Sequence, residues 1–420
     1  MYIKRAIENV VRNISNTMPV VLVTGPRQVG KTTLFENMME PERKRVSLDN
    51  PTIRHLAKTD PELFLQRYAP PVFIDEVQYA PELFPYITIL VDERKKPGEF
   101  WLTGSQMFIM MKNVSESLAG RVGVVPMLGL TNSEMNGNHF GAFEMDAQSL
   151  LDRVERAKRM SVTEIFERIY KGSMPRVYQN DEINLEMFYE SYLDTYLTRD
   201  VRDLEQVVNQ TAFINFIKIV AARTATNVNY EALAQETGVS APTAKNWLSI
   251  LVSCGIVALI PAYSNNALKR VLKAPRMYFL DTGLCAHLMG WGSPTVLENS
   301  SMSGEFFETW VVSEIYKSYL NAGKNPPLYF YRDSQQKEID LIIYQNGKVY
   351  PLEIKKGANP QNPTKNFSVL KPIEAEPSEA DRFAGTAHLK TEVGMGGVIC
   401  LASDLIPIDK KNWYIPAWAI

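Results

Sequence analysis

Three groups of residues in this chain have the types and spacing to do chemistry. The first is Gly25-Pro26-Arg27-Gln28-Val29-Gly30-Lys31-Thr32, with Thr33 directly after it. Glycines at its first and sixth positions let backbone amides close around phosphate oxygens. Lys31 follows at the distance that reaches β- and γ-phosphates, and the Thr32 hydroxyl is placed for Mg²⁺. The setting suits the role: an apolar run at 19–23 reads as a buried strand, and a helix starts at Gly30-Lys31 and runs through Leu34 and Phe35. Arg27 either touches phosphate or seals the site.

The second group follows two later apolar runs. Val72-Phe73-Ile74 ends in Asp75 and Glu76, an acid pair in which Asp75 holds Mg²⁺ through water and Glu76 orients or deprotonates the attacking water. Phe100-Trp101-Leu102-Thr103 ends in Gly104, Ser105 and Gln106. Ser105 is the first choice for contact with the γ-phosphate or the water and Gln106 the second; a polar strand end that merely turns the chain is equally open. Arg121, just before the last run of this region, reads two ways. It completes a neighbouring subunit's site, or it makes a surface salt bridge. ATP, or a close relative, with Mg²⁺ is the expected cofactor set.

The third group lies far along the chain: Glu308 on a helix, Asp340 in one strand, and Glu353 and Lys355 in the next. Strand alternation puts Glu353 and Lys355 on one face. Asp340 and Glu353, with Glu308, can hold Mg²⁺, and Lys355 can activate water or stabilise charge on a phosphate. Two other readings stay open: a degenerate site used only for binding, and a surface salt-bridge set that includes Glu338 and Lys356.

The elements that must position these groups follow from pattern. Short apolar runs at 20–23, 46–48, 72–74, 100–102 and 122–128, separated by helical or irregular stretches, predict a parallel α/β sheet with crossover helices over residues 1–144. Residues 145–227 read as helical, with no strand signal before about 256. Residues 228–290 carry a helix ending at Gly238, a Val239-Ser240 turn, a second helix over 241–251 with Ser240 as its cap and Pro242 in its first turn, and two strands at 255–260 and 274–280. This is a helix-turn-helix with a wing. Thr243, Lys245 and Asn246 face outward on the second helix, and Lys269, Arg270 and Lys273 fall between the wing strands, where phosphates could meet them. A module that only packs on the core or on a protein is equally consistent, because the second helix carries a single cation. Residues 291–304 read as a linker. The last unit, 304–420, opens with a helix at 306–320, continues with strands at 328–332, 339–344 and 349–354, an irregular loop over 357–381, and closes with strands at 397–401 and 413–417.

Composition sets limits. The chain has 420 residues, 45% hydrophobic and 22% charged, with a formal net charge of −2, so any attraction for nucleic acid is local rather than global. Cys254, Cys285 and Cys400 share no metal-ligand spacing and read as reduced thiols. No signal-peptide pattern or membrane-length apolar run is present, which gives a cytoplasmic expectation with no membrane partner.

In order and spacing, Gly25–Thr33, Phe73–Gln78, Leu102–Gln106, Ser115–Arg121 and Tyr192–Asp200 resemble the prokaryotic AAA-type ATPases that carry a C-terminal domain of unknown function. The resemblance spans essentially the whole chain. It implies a P-loop NTPase core, a winged helix and a restriction-endonuclease-like end of the PD-(D/E)xK type, and no settled cellular role. Relatives of this type often form rings, so a homo-oligomer is one expectation; a monomer stays open if Arg121 is structural. The function expected is an ATP-hydrolysing switch or motor on DNA with a nuclease-like C-terminal domain. The alternative is a nucleotide-gated binding or regulatory protein whose nuclease fold is inactive.

Overall fold

A computed structural model describes residues 2–105, 117–180, 182–194, 209–264, 273–333, 335–370 and 392–420. Gln106, Lys269 and Arg270, named above as candidates, lie outside the described residues, as do parts of the 115–121 and 192–200 motifs.

Val20–Thr24 (β1) is buried at all five positions, as a strand covered on both faces must be. It lies in a five-stranded sheet with Lys44–Ser47 (β2), Val72–Asp75 (β3), Phe100–Gly104 (β4) and Val122–Pro126 (β5), in the order β2-β3-β4-β1-β5. Every pairing is parallel, as the alternating pattern predicts. The register aligns the strand ends: Thr24 is opposite Gly104 and Pro126, and Ser47 is opposite Asp75. The segments leaving β1, β3, β4 and β5 therefore emerge along one edge, where Gly25, Glu76, Ser105 and Met127 meet.

Helices follow at Ala147–Arg156, Val162–Lys171, Pro175–Gln179, Leu185–Tyr192 and Gln210–Ala222. A two-residue strand, Thr226–Asn227 (β6), precedes the first strand that pattern had suggested; it is too short to carry a periodic signal. Helix Tyr230–Thr237 ends on Gly238 in the left-handed conformation, and Ser240 caps the second helix, Ala241–Ser253. Val257–Ile260 (β7) and Arg276–Phe279 (β8) then form an antiparallel sheet, with β6 on the far side of β8. The stretch expected to be a linker contains a helix, Pro294–Glu298. Its Ser293 cap and Pro294 are the same residues that suggested a loop, and Leu297 is fully buried.

A 19-residue helix, Ser303–Asn321, leads into the C-terminal sheet. Leu328–Arg332 (β9), Glu338–Gln345 (β10), Lys348–Lys355 (β11), Glu392–Val393 (β12), Gly396–Cys400 (β13), Ile406–Pro407 (β14) and Asn412–Pro416 (β15) are arranged as β14-β15-β13-β11-β10-β9, with β12 also on β11. β9, β10 and β11 are antiparallel neighbours, whereas β11, β13 and β15 run parallel. One continuous apolar core takes residues from all these regions, among them Val23, Phe166, Trp247, Trp310 and Ile399.

The long helix also grips the first sheet. Lys317 Nζ donates to the Leu130 carbonyl at 2.9 Å and pairs with Glu314, and the Asn132 amide donates to Glu314 Oε2 at 2.7 Å. No helix among the described residues is long and apolar enough to cross a membrane.

Candidate functional site

Gly25 leaves β1 with φ +147°, and a Cβ there would sit 1.9 Å from the Met127 carbonyl oxygen. Only glycine fits this approach. Gly30, at φ +93°, caps helix Lys31–Met38, so the amides of the loop and the helix start face one concavity. A cleft of about 470 Å³ opens there. Arg27, Gln28, Val29, Gly30, Lys31, Thr32 and Thr33 line it, together with Asp49 and Glu76. Lys31 Nζ is folded onto the loop itself, donating to the Gly25 and Pro26 carbonyls at 3.0 and 2.8 Å. Arg27 donates to the Tyr79 hydroxyl at 3.1 Å, at the rim.

Asp75 and Glu76 form the back wall. Thr32 Oγ1 donates to Asp75 at 2.9 Å, and Thr103 Oγ1 donates to the same carboxylate. Burial pushes the Asp75 carboxyl up, the hydrogen bonds from Thr103 and Thr32 oppose the shift, and the charge of Glu76 adds to it. The net displacement is upward, which a cation beside it would reverse. Thr32 and Asp75 thus present adjoining hard oxygens of the kind Mg²⁺ takes.

Glu76 is a non-glycine residue in the left-handed region, at φ 56°, held there by its neighbours. Its amide donates to Thr103 Oγ1 at 3.2 Å, Ser105 Oγ donates to its carboxylate at 3.1 Å, and Gln78 Nε2 donates to the same group. Ser105, the favoured candidate at the end of β4, is therefore a partner of Glu76.

Arg121 lies at the opposite edge of the sheet. It precedes β5, its carbonyl accepts from the Val20 amide, and its guanidinium makes a two-point ion pair with Asp92 at 2.6 and 2.8 Å. A strand of five residues separates the two edges by roughly 17 Å, so Arg121 cannot reach its own chain's phosphate loop. The salt bridge of the two-way reading is present.

Two basic residues of the cleft escaped the sequence reading. Arg5 is 3% exposed and donates to Glu134, to the Val29 carbonyl of the loop at 2.9 Å, and to the Leu128 carbonyl at 2.8 Å. Burial raises the pKa of Glu134, but Arg5 and the amides of Thr131 and Ala6 outweigh it and hold the group below the ordinary value. Removing either partner leaves a buried charge unpaired, at a cost of about 3–5 kcal/mol. Arg176, on helix Pro175–Gln179, lines the cleft from the helical region. Neither residue lies in a local motif; only tertiary structure brings them to the loop.

The third group also assembles. The β10–β11 register places Asp340 beside Glu353, one step beyond the Leu341–Leu352 pair. Lys355 Nζ bridges them, 2.9 Å from Asp340 and 2.8 Å from Glu353, and the Ile354 amide donates to Asp340 at 2.9 Å. Burial, then the charge of Asp340, pushes Glu353 up to about 8 and Glu308 up to about 7. Burial works against the Lys355 ammonium, but Asp340 and Glu353 outweigh it and keep its pKa above the ordinary value.

Glu308 turns toward the small sheet. The Tyr278 hydroxyl donates to it at 2.7 Å and Arg276 at 3.3 Å. Among the described residues, no three His, Cys, Asp or Glu side chains converge so as to hold a metal ion. The expected trio Glu308, Asp340 and Glu353 is a set of neighbours whose charges are met by Arg276 and Lys355.

Outside the two sites, Lys245 and Asn246 are exposed on the second helix, with Thr243 half-buried beside them. Lys273 reaches the Arg332 carbonyl at 3.2 Å.

Residues 17–136 match the family model of an AAA domain, residues 162–295 a domain of unknown function (DUF8612), and residues 303–420 a second (DUF4143). The chain is similar to two uncharacterized proteins, Rv2008c of Mycobacterium tuberculosis and Mb2031c of Mycobacterium bovis. Each is 29% identical over 351 residues, which is 83% of this chain and 73% of the relative. Among solved structures, the Walker-type ATPase PABY2304 of Pyrococcus abyssi aligns over 67% of this chain and 94% of its own, with 14% identity and a TM-score of 0.42.

Proposed function

We propose, from the premise that this is an AAA-type P-loop ATPase with a C-terminal domain of unknown function, that it hydrolyses ATP as a switch acting on DNA. The observation that carries the reading is the double network behind the phosphate loop: Thr32 and Thr103 on Asp75, and Ser105 and Gln78 on Glu76. Loop amides and Lys31 bind the phosphates, with Lys31 exchanging its two carbonyl partners for phosphate oxygens. Thr32 and Asp75 hold Mg²⁺, which supplies charge neutralisation at the β- and γ-phosphates when bound. Glu76, fixed by Ser105, takes a proton from the attacking water.

The proposed layout has an ATPase core at 1–144, a helical region at 145–227, a winged helix at 228–290 and a restriction-endonuclease-like unit at 304–420. Lys245, Asn246 and Lys273 are the proposed DNA contacts. The test is the ATPase rate with Mg²⁺, with and without DNA, in the wild type and in Lys31→Ala. The expected result is hydrolysis that DNA alters and the variant loses; unchanged hydrolysis by Lys31→Ala refutes the site.

One observation favours a second reading for the C-terminal unit. Lys355 occupies one oxygen each of Asp340 and Glu353, which suits a site that binds DNA without cutting it. Plasmid incubated with Mg²⁺ or Mn²⁺ separates the two: cleavage lost in Asp340→Ala and Lys355→Ala supports a nuclease, and intact plasmid under every nucleotide condition supports binding.

A further inference from the structure

Beside the acid–lysine group, a cleft of about 560 Å³ separates the small antiparallel sheet from the C-terminal sheet. The two sheets are joined where Tyr263 N donates to the Phe330 carbonyl at 2.6 Å and Phe330 N to the Pro261 carbonyl at 3.1 Å. Arg223, Arg276 and Arg332 line the cleft together with Asn227, Asn229 and Glu338. Lys273 stands at the rim against the Arg332 carbonyl.

The central residue is Arg276, 6% exposed. One terminal nitrogen reaches Glu308 in the acid group and the other reaches Glu338, each at 3.3 Å. Its Nε–H has no hydrogen-bond partner among the described residues, nor has the buried Oδ1 of Asn227 on the adjoining strand. A buried donor left open in this way costs about 1–3 kcal/mol, so the guanidinium is held under strain of solvation between its two carboxylates. Glu338 also pairs with Arg332, 3.0 Å from its Nε. The Glu338 carboxylate is 36% exposed and sits between two guanidinium groups, the position and charge that a phosphate oxygen pair would take.

We infer that this cleft is a phosphodiester site for single-stranded nucleic acid, and that Glu338 is its internal competitor, occupying Arg276 and Arg332 until a strand displaces it. The inference rests on the DNA-acting reading above and deepens it. A cleft of this size has room for more than a lone phosphate. The cations Lys273, Arg332 and Arg276 provide the electrostatic track, and the amides of Asn227 and Asn229 provide contacts indifferent to sequence. A strand seated there lies directly beside Glu308, because Arg276 touches both.

The experiment uses the full chain and a fluorescein-labelled single-stranded oligodeoxythymidine, with anisotropy read across a salt series. Glu338→Gln removes the competing charge and is expected to bind several-fold more tightly than the wild type. Arg332→Gln is expected to bind more weakly, with the salt slope reduced by about one. The double variant Glu338→Gln/Arg332→Gln is expected to lose the gain. Binding by the wild type that Glu338→Gln leaves unchanged or weakens overturns the cleft assignment and leaves the DNA reading standing. No binding by either protein overturns both. If Glu338→Gln does not fold, Arg332→Gln decides: an unchanged affinity and slope overturn the assignment. Inorganic phosphate is added as a competitor, and displacement by phosphate at the concentration of strand phosphates would reassign the cleft to free phosphate.

Discussion

Gly255 lies against Pro26: a Cβ on Gly255 would come within 3.1 Å of the proline ring, and the glycine has φ +69°. The turn that ends helix Ala241–Ser253 thus rests on the phosphate loop. A side chain at 255 strains its own backbone and also crowds the loop, at about 1–3 kcal/mol. Gly255→Val is expected to weaken binding of a fluorescent ATP analogue by roughly ten-fold, the equivalent of about 1.4 kcal/mol. Equal affinity for the analogue in variant and wild type would separate the module from the loop.

Glu76 and Ser105 have different expected phenotypes. Glu76→Gln keeps the shape of the hydrogen-bonded wall but removes the base, so nucleotide binding persists while kcat falls by on the order of 10² or more. Ser105→Ala removes only the contact that orients Glu76, so kcat falls less and KM is unchanged. Single-turnover hydrolysis and nucleotide titration on both variants measure these effects. A Glu76→Gln protein that turns over at the wild-type rate would remove it from the chemistry.

Arg176 projects into the cleft from the helical region and makes no hydrogen bond or ion pair with another described residue. A cation placed there distinguishes nucleotides by phosphate number. Arg176→Ala is expected to weaken ATP binding about ten-fold while changing AMP binding little, a loss of one exposed charge-assisted contact. Calorimetric titration with both nucleotides reads the ratio, and a proportional loss for both would show general damage to the cleft.

The upward displacement of Glu353 from 4.5 to about 8 has a defined sign. A carboxyl whose folded-state pKa is raised contributes stability that is full below about pH 4.5 and is lost as pH rises through 8. Glu353→Gln cannot titrate, so its melting temperature relative to the wild type is expected to rise across that window, by roughly 2 °C or more. A constant difference from pH 5 to 8.5, by about the same number of degrees throughout, would place the proton elsewhere in the group.

The parallel sheet was legible because β1, β3 and β4 are short apolar runs that end in polar residues, each followed by chemistry. Gly25, Lys31, Thr32, Asp75, Glu76 and Ser105 could be named for the same reason: the residues that act sit where buried strands stop. The helix at Pro294–Glu298 was hidden by signals that cap helices and make loops alike. Arg5 was invisible because it is one basic residue near the start of the chain, and its value depends on Glu134 and Val29 folding around it. Alternation placed Glu353 and Lys355 together, but it carries no information about Arg276, which arrives from a different sheet.

The helix Ser303–Asn321 holds Glu308 near one end and, about 9 to 14 Å further along its axis, the Glu314–Lys317 pair that grips Leu130 and Asn132. Leu130 lines the nucleotide cleft. One rigid rod therefore fixes both the distance and the angular phase between the two sites. A single residue inserted between positions 309 and 313 would advance the far end by about 1.5 Å and rotate it by about 100°. Either Glu308 would leave Arg276 or Lys317 would leave Leu130, so the sequence between them is constrained in length as strictly as a gear is in its tooth count.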